Sequence, residues 1–313
     1  MGESCLQPHS DRRPMILRSL KSFEVLFDEA EPAPFEHPAY ERYGKLGFSP
    51  LPRDLPWIYA NFVQSLDGVA SFKGLHATGS AISRSDEDRW LMDLLRAHAD
   101  AVLLGINTLI EETALGRDGG SGPDRGPVYA VEDESCLDLR RKLGRPREMN
   151  IFVTGAAALN LGDYSVFDGD RVDPVIVTTN LGAKRLAEQR SHPHVKVVVA
   201  GESQFVDLPR AMGILRRQFN IEHLLCEGGP TLYGYMARAA LIHEKFLTVA
   251  PLEVGIMIPA EQKPSLAEAK SPPRFRPTTL EAPGFTFESA PAWRWMSCRK
   301  TGDHQFNRYR RQG

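Results

Sequence analysis

Residues 224–236 read LLCEGGPTLYGYM: an apolar run, the carboxylate of Glu227, then Gly228, Gly229, Pro230 and Thr231, then helix-forming residues. A strand hands over to a helix here. The first turn of a helix carries unsatisfied backbone N–H groups at the positive end of its dipole. Glycines placed just before it let an anionic ligand reach those donors without meeting a Cβ. The stretch reads either as a phosphate cradle or as a tight turn and nothing more. It is not G-x-G-x-x-G, so the usual dinucleotide fingerprint is absent.

Other strand ends carry residues of similar promise. LLGINTLIEE (103–112) puts Gly105, Asn107 and Thr108 at a carboxyl edge, where ligands bind in open α/β sheets. A helix start capped by Thr108 is the plainer reading. ANFVQSLDGVAS (60–71) sets Asn61 among apolar neighbours, where a buried amide needs partners, and follows it with Asp67-Gly68, a common turn pair. Two further apolar runs end in Thr154 and Gly155 and in Thr178 and Thr179, small and hydroxyl residues that suit an adenosine moiety.

These residues need elements to hold them. WIYANFV (57–63), AVLLG (101–105), NIFVTG (150–155), PVIVTT (174–179), VKVVVA (195–200) and EHLLCE (222–227) are short apolar strands. Helical patterns at 85–98, around LDLRRKLG, near 182–190, at 207–219 and at 230–240 separate them. The alternation predicts an α/β domain with a largely parallel central sheet flanked by helices. After residue 243, EKFLTVAP, GFTFES, AWRWMSCRK and HQFNRYR read as strands with no helix between them, which predicts added antiparallel C-terminal strands. Residues 1–54 are proline- and aromatic-rich and read as an N-terminal extension draped over a domain at 55–313. The proline-rich 259–283 reads as a loop or cover.

The totals exclude several classes. A formal charge of -2 and a pI near 6.5 give no footprint for nucleic acid or an anionic membrane. No apolar stretch approaches a membrane span, and the first 15 residues lack the apolar core of a secretory signal. Cys5, Cys136, Cys226 and Cys298 are scattered singly, which argues against zinc or a disulfide framework and for reduced thiols in the cytoplasm.

The order of these signals is more specific than any one of them. N-F-V-x-S-L-D-G, Ser80-x-Ile82-Ser83, a helix ending Leu95-Arg96-Ala97 and A-D-A-V-x-x-G-x-x-T come first. V-x-V-T-T, E-G-G-P-T-L, a strand ending Ala-Pro and a closing Arg-Tyr-Arg follow. The series, over roughly residues 55–311, resembles the reductase domain of the riboflavin-biosynthesis deaminase–reductase family, in the dihydrofolate-reductase-like superfamily. The zinc deaminase signature is absent.

The resemblance implies hydride transfer from NADPH to 5-amino-6-(5-phosphoribosylamino)uracil, opening ribosyl to ribityl, in a homodimer. It implies that Gly228, Gly229, Pro230 and Thr231 cradle the pyrophosphate, with Glu227 at the floor of the site. Gly105, Thr108, Glu112, Thr154, Gly155, Thr178 and Thr179 would meet the cofactor. Asn61, Ser65, Asp67 and Ser83 would line the substrate and nicotinamide pocket, with Asn61, Asp67 and Glu227 as the catalytic set. Arg117 would meet the sugar phosphate, since a guanidinium suits phosphate bidentately. Three positions depart from the family pattern. Val69 stands where many members have lysine, with Lys73 one short loop away. Ala156–Ala158 replace residues that meet the cofactor 2′-phosphate, which leaves NADH open unless Lys184 or Arg185 substitutes. Glu111-Glu112-Thr113 replaces Asp-Asp-Pro. A reductase acting on another pterin or pyrimidine, and a nucleotide-binding relative with little catalysis, are the alternatives on the same scaffold. Trp293, Trp295 and Met296 offer apolar surface for the dimer.

Overall fold

The computed structural model describes residues 20–70, 79–117, 125–189, 192–202, 204–255, 280, 283–286 and 288–312. In chain order the strands are β1 (Glu24–Asp28), β2 (Trp57–Gln64), β3 (Ala101–Gly105), β4 (Met149–Val153), β5 (Asp173–Thr178), β6 (Lys196–Val199), β7 (His223–Gly228), β8 (Glu244–Val249), β9 (Trp293–Thr301) and β10 (His304–Arg311). The helices are α1 (Pro38–Tyr43), α2 (Gly79–Ser83), α3 (Asp86–His98), α4 (Ile106–Arg117), α5 (Glu134–Lys142), α6 (Asn180–Ala187), α7 (Leu208–Gln218) and α8 (Pro230–Arg238).

Among the described residues the strands form one sheet in the order β1-β9-β10-β8-β2-β7-β3-β4-β5-β6. Strands β2 to β8 all run parallel, so seven carboxyl ends share one edge. Alternation along each strand fills both faces. Ile58, Ala60, Leu103, Ile151 and Val175 meet Met212 and Leu215 of α7 and Leu232 and Met236 of α8. On the other face Tyr59, Leu225 and Phe246 meet Trp90, Leu91, Leu94 and Leu95 of α3. Leu104, Phe152 and Ile176 meet Leu109 of α4 and Leu186 of α6.

The tail departs from expectation. β8 pairs parallel to β2, because α8 carries the chain back across the sheet before β8 begins. Only β10, β9 and β1 make the antiparallel edge. The described part of GFTFES is turn and coil, outside any ladder. Trp293 is half-buried against the core and Met296 is buried, which leaves Trp295 as the exposed member of that trio, stacked on Tyr309.

The N-terminal extension does more than drape. β1 extends the sheet, and Phe23, Tyr40, Tyr43 and Leu46 sit in the core beneath α3. Electrostatics fixes it there. Arg299 and Arg308 are wholly buried on the C-terminal hairpin and must find acceptors. Arg299 donates to Asp28 at 2.6 Å and to the Tyr43 carbonyl. Arg308 donates to Glu244 at 2.6 Å and to the Gly47 carbonyl at 2.7 Å, while Arg310 bridges Glu31 and Glu244.

Candidate active site

Neighbouring strands β7 and β3 both end at the carboxyl edge and both turn at once into helices, α8 and α4. Gly228 has φ +97°, a left-handed conformation that favours glycine, and its peptide bond to Gly229 is cis. Gly229 is the N-cap of α8, with no side chain capping the exposed N–H groups, and Pro230 occupies the first helical position. Neither α8 nor α4 has an acidic residue in its first turn. A Cβ placed on Gly229 would meet only the Thr108 hydroxyl, at 3.2 Å, and one on Gly105 would make ordinary contacts with Gly228, Gly229 and Leu232. Thr108, Gly229 and Pro230 are half-buried and Thr231 is exposed. Gly105, Thr108, Gly229, Pro230 and Thr231 therefore converge on one mouth of bare main chain, while Gly228 is buried behind it, where a Cβ would crowd the Phe62 ring at 3.1 Å.

Asn61 belongs to the same region. It follows Ala60, the last residue of β2 paired with β7 (to Cys226), and pairs with Phe246 of β8 on the other side. Its Oδ1 is buried with no hydrogen-bond partner among the described residues. An orphan acceptor of this kind is expensive in a folded protein unless a ligand supplies the donor.

Other candidates are drawn into the protein's own bonding. Both oxygens of Glu227 accept from Arg96, at 2.8 and 2.7 Å, so its carboxylate serves a buried ion pair and is not free to work as an acid or base. Burial opposes the charge on Arg96, yet the facing Glu227 holds it protonated beyond its ordinary range. Glu112 accepts from the Tyr129 hydroxyl at 2.8 Å, and burial pushes its pKa up. Ser65 donates to Asp67 and accepts from the Val69 N–H, which closes the turn after β2. Asp67 in turn accepts from the Val254 and Gly255 N–H groups, tying that turn to the segment after β8. The bond from Ser65, aided by those N–H donors, holds the Asp67 pKa down at about 2, so it is a permanent anchor and not a proton donor near neutral pH. Val69, at the family's lysine position, is wholly buried. Lys73 lies outside the described residues.

The adenosine-side candidates are likewise structural. Thr154 accepts from the Ala157 N–H, and the Thr178 and Thr179 hydroxyls both donate to the Gly155 carbonyl. A Cβ on Gly155 would strike the Gln204 carbonyl, so that glycine serves close packing. Ser83 closes α2 with its carbonyl accepting from His304 and its hydroxyl beside Asp88. Thr113 replaces the family's proline, and its hydroxyl bonds back to the Leu109 carbonyl inside α4, so the helix runs on to Arg117. Nine residues separate Arg117 from Thr108, about 14 Å along the helix axis, so it stands at the end of α4 remote from the glycine mouth. Arg185 reaches back from α6 to the Ala156 carbonyl at 3.1 Å, beside the alanines that replace the family's polar residues. Sequence reasoning missed Arg96. An arginine in the last turn of an apolar helix face, followed by an acidic strand end, was the available signal.

Among the described residues there is no His, Cys, Asp and Glu cluster able to hold a metal, and no helix long and apolar enough to cross a membrane. A family model for the RibD C-terminal domain matches residues 56–282. The 2,5-diamino-6-ribosylamino-4(3H)-pyrimidinone 5′-phosphate reductase of Methanothermobacter thermautotrophicus is 28% identical over 201 residues, 64% of this chain and 80% of that protein. Its namesake from Archaeoglobus fulgidus is 25% identical over 205 residues, 64% of this chain and 82% of that one. A pyrimidine reductase-like protein from Corynebacterium diphtheriae shares the fold with a TM-score of 0.58 at 19% identity, over 82% of this chain and 92% of its own. The Saccharomyces cerevisiae riboflavin biosynthesis reductase Rib7 does so at 0.55 and 16%, over 84% and 93%.

Proposed function

The chain belongs to the RibD C-terminal domain family, and from that membership we propose that it is an NADPH-dependent reductase of riboflavin biosynthesis acting on a phosphorylated ribosylaminopyrimidine. The observation that carries the reading is the glycine mouth, where Gly105 and Gly229 leave two neighbouring helix starts nearly clear of side chains and the left-handed Gly228 turns the chain between strand and helix. A diphosphate resting there would accept from main-chain amides of α8, with Thr108 beside it. The cofactor, when bound, would supply a hydride to the ribosyl C1′ as its bond to the ring oxygen breaks, and a proton from solvent would complete the freed hydroxyl of the ribityl chain.

The chain's own residues bind and orient. Asn61 offers a buried acceptor to an N–H or O–H of the ligand. Asp67 pins the turn after β2 against the segment after β8, which fixes one wall. Hydride transfer needs no ionised side chain at the reacting carbon, which fits a site whose carboxylates are already paired. Arg185, exposed and bonded to the Ala156 carbonyl, is the cation we infer would meet the 2′-phosphate of NADPH, with Lys184 exposed beside it. Arg117 and Ser83 are weaker candidates for the substrate phosphate and pocket wall. A homodimer using the Trp295 face accords with the family reading.

The two archaeal relatives are named for the diamino-pyrimidinone. Its deaminated counterpart, 5-amino-6-(5-phosphoribosylamino)uracil, carries the same reacting sugar. Both should be offered to purified protein with NADPH or NADH, following loss of nicotinamide absorbance. Oxidation dependent on either pyrimidine supports the reading. Turnover of dihydrofolate in its place would move the assignment to a pterin reductase, and binding of neither cofactor would end it. Gly229→Asp should abolish cofactor binding, because a carboxylate would occupy the cradle; unchanged affinity in folded protein would count against the site.

A further inference from the structure

We propose that Arg96 is a positioning residue for the cofactor cradle: it fixes the end of β7, and with it Gly228 and Gly229, by clamping Glu227 from α3. The inference rests on the reductase reading. The guanidinium uses Nε and Nη2 as a two-pronged fork on the two Glu227 oxygens, at 2.8 and 2.7 Å. Its Nη1 donates to the Ala130 carbonyl at 3.1 Å, and the Arg96 carbonyl accepts from Arg140 at 2.9 Å. Both partners of the clamp are more than nine-tenths buried.

The placement is what makes the pair more than packing. Glu227 is the residue immediately before Gly228, at a register shift where β7 departs from regular pairing with β3. Ladder hydrogen bonds weaken at such an irregularity, so the strand end needs another fixture. Arg96 supplies it with a planar fork that lysine lacks. The clamp also reaches the second helix of the mouth. Arg96 lies 5.9 Å from the centre of the Tyr129 ring, and Tyr129 donates to Glu112 on α4, the helix that carries Thr108. Asp93, 3.9 Å from Arg96, faces the same guanidinium from one turn earlier on α3. One side chain thus links the strand end that leads into α8 to the middle of α4, the two helices whose spacing sets the cradle.

The test uses full-length Arg96→Met, Arg96→Lys and Glu227→Gln, and the double variant Arg96→Met/Glu227→Gln, with folding followed by circular dichroism. Cofactor affinity is read from nicotinamide fluorescence, and steady-state KM and kcat are read for cofactor and pyrimidine separately. Arg96→Met is expected to raise cofactor Kd and KM at least tenfold while kcat at saturating cofactor stays within about threefold. Arg96→Lys, which keeps the charge but not the fork, should fall between the two. The double variant should be no weaker than Arg96→Met alone, because both act through one clamp. Unchanged cofactor affinity in folded Arg96→Met overturns the proposal, as does a double variant whose loss is the product of the singles. Should Arg96→Met fail to fold, Arg96→Lys decides: wild-type cofactor KM in it overturns the proposal. Wild-type protein that binds neither NADPH nor NADH ends the reductase reading itself, before any variant is made.

Discussion

Asn61 is the residue proposed to meet the ligand. Its Oδ1 is buried without a partner, so the apoprotein bears the desolvation cost of an unused acceptor. Asn61→Leu, similar in shape and without that group, is expected to be as stable as wild type or more so, while kcat/KM falls about tenfold. Thermal unfolding and steady-state kinetics on the same preparation check the two halves; a loss of stability without loss of turnover would make Asn61 an ordinary core residue. Arg185 answers a different question. If its guanidinium meets the 2′-phosphate, Arg185→Ala should raise KM for NADPH about tenfold and leave NADH untouched. Equal effects on both cofactors would remove it from that role.

Elements are held by charges that neither helix nor strand propensity would announce. Glu244 at the start of β8 is wholly buried and accepts from Arg308 and Arg310 on β10. Removing one member of a buried pair leaves the other uncompensated, which costs about 3–5 kcal/mol. Glu244→Ala should therefore lose about that much stability in urea titration, with an unchanged m-value if unfolding stays two-state. A loss below about 1 kcal/mol would mean that Arg308 finds other acceptors. The strands themselves were readable as apolar runs, and α3 as a helical pattern at 85–98, since both patterns are local. The direction of β8 was not. It follows from the crossover through α8, a property of the path and not of EKFLTV.

At the scale of the whole molecule, ionised carboxylates join segments far apart in sequence. The bond from Arg310 holds the Glu31 pKa down at about 2, from 4.5, and thereby fastens the N-terminal segment to β10. Asp67, at about 2 from 3.8, fastens the β2 turn to residues 254–255. Both pKa values are depressed on folding, so each group's contribution is fully present above its unfolded value and is lost as pH falls through the folded one. The contribution of Glu31 and Asp67 to the urea midpoint should be constant above about pH 5 and be lost between about 4.5 and 2. Glu31→Gln should shallow that decline; an identical acid limb would exclude Glu31 as a source. Deleting residues 1–54 should leave no soluble fold, because Arg299 and Arg308 would lose buried acceptors.

The sequence by itself determined the alternation of strands and helices, the parallel core of the sheet and the glycine-bearing strand end at Gly228 and Gly229. Each is written in short windows, through side-chain periodicity and the backbone freedom of glycine. Tertiary structure alone decided which polar residues remain available at the mouth. Glu227, Ser65, Thr178 and Thr179 have the right chemistry and position along the chain, yet each is taken by a partner brought near in the fold or in the turn beside it. The Asn61 Oδ1 has none within the described residues. Hydrogen-bonding capacity is finite, and how it is shared among groups distant in sequence is settled only when the chain is packed.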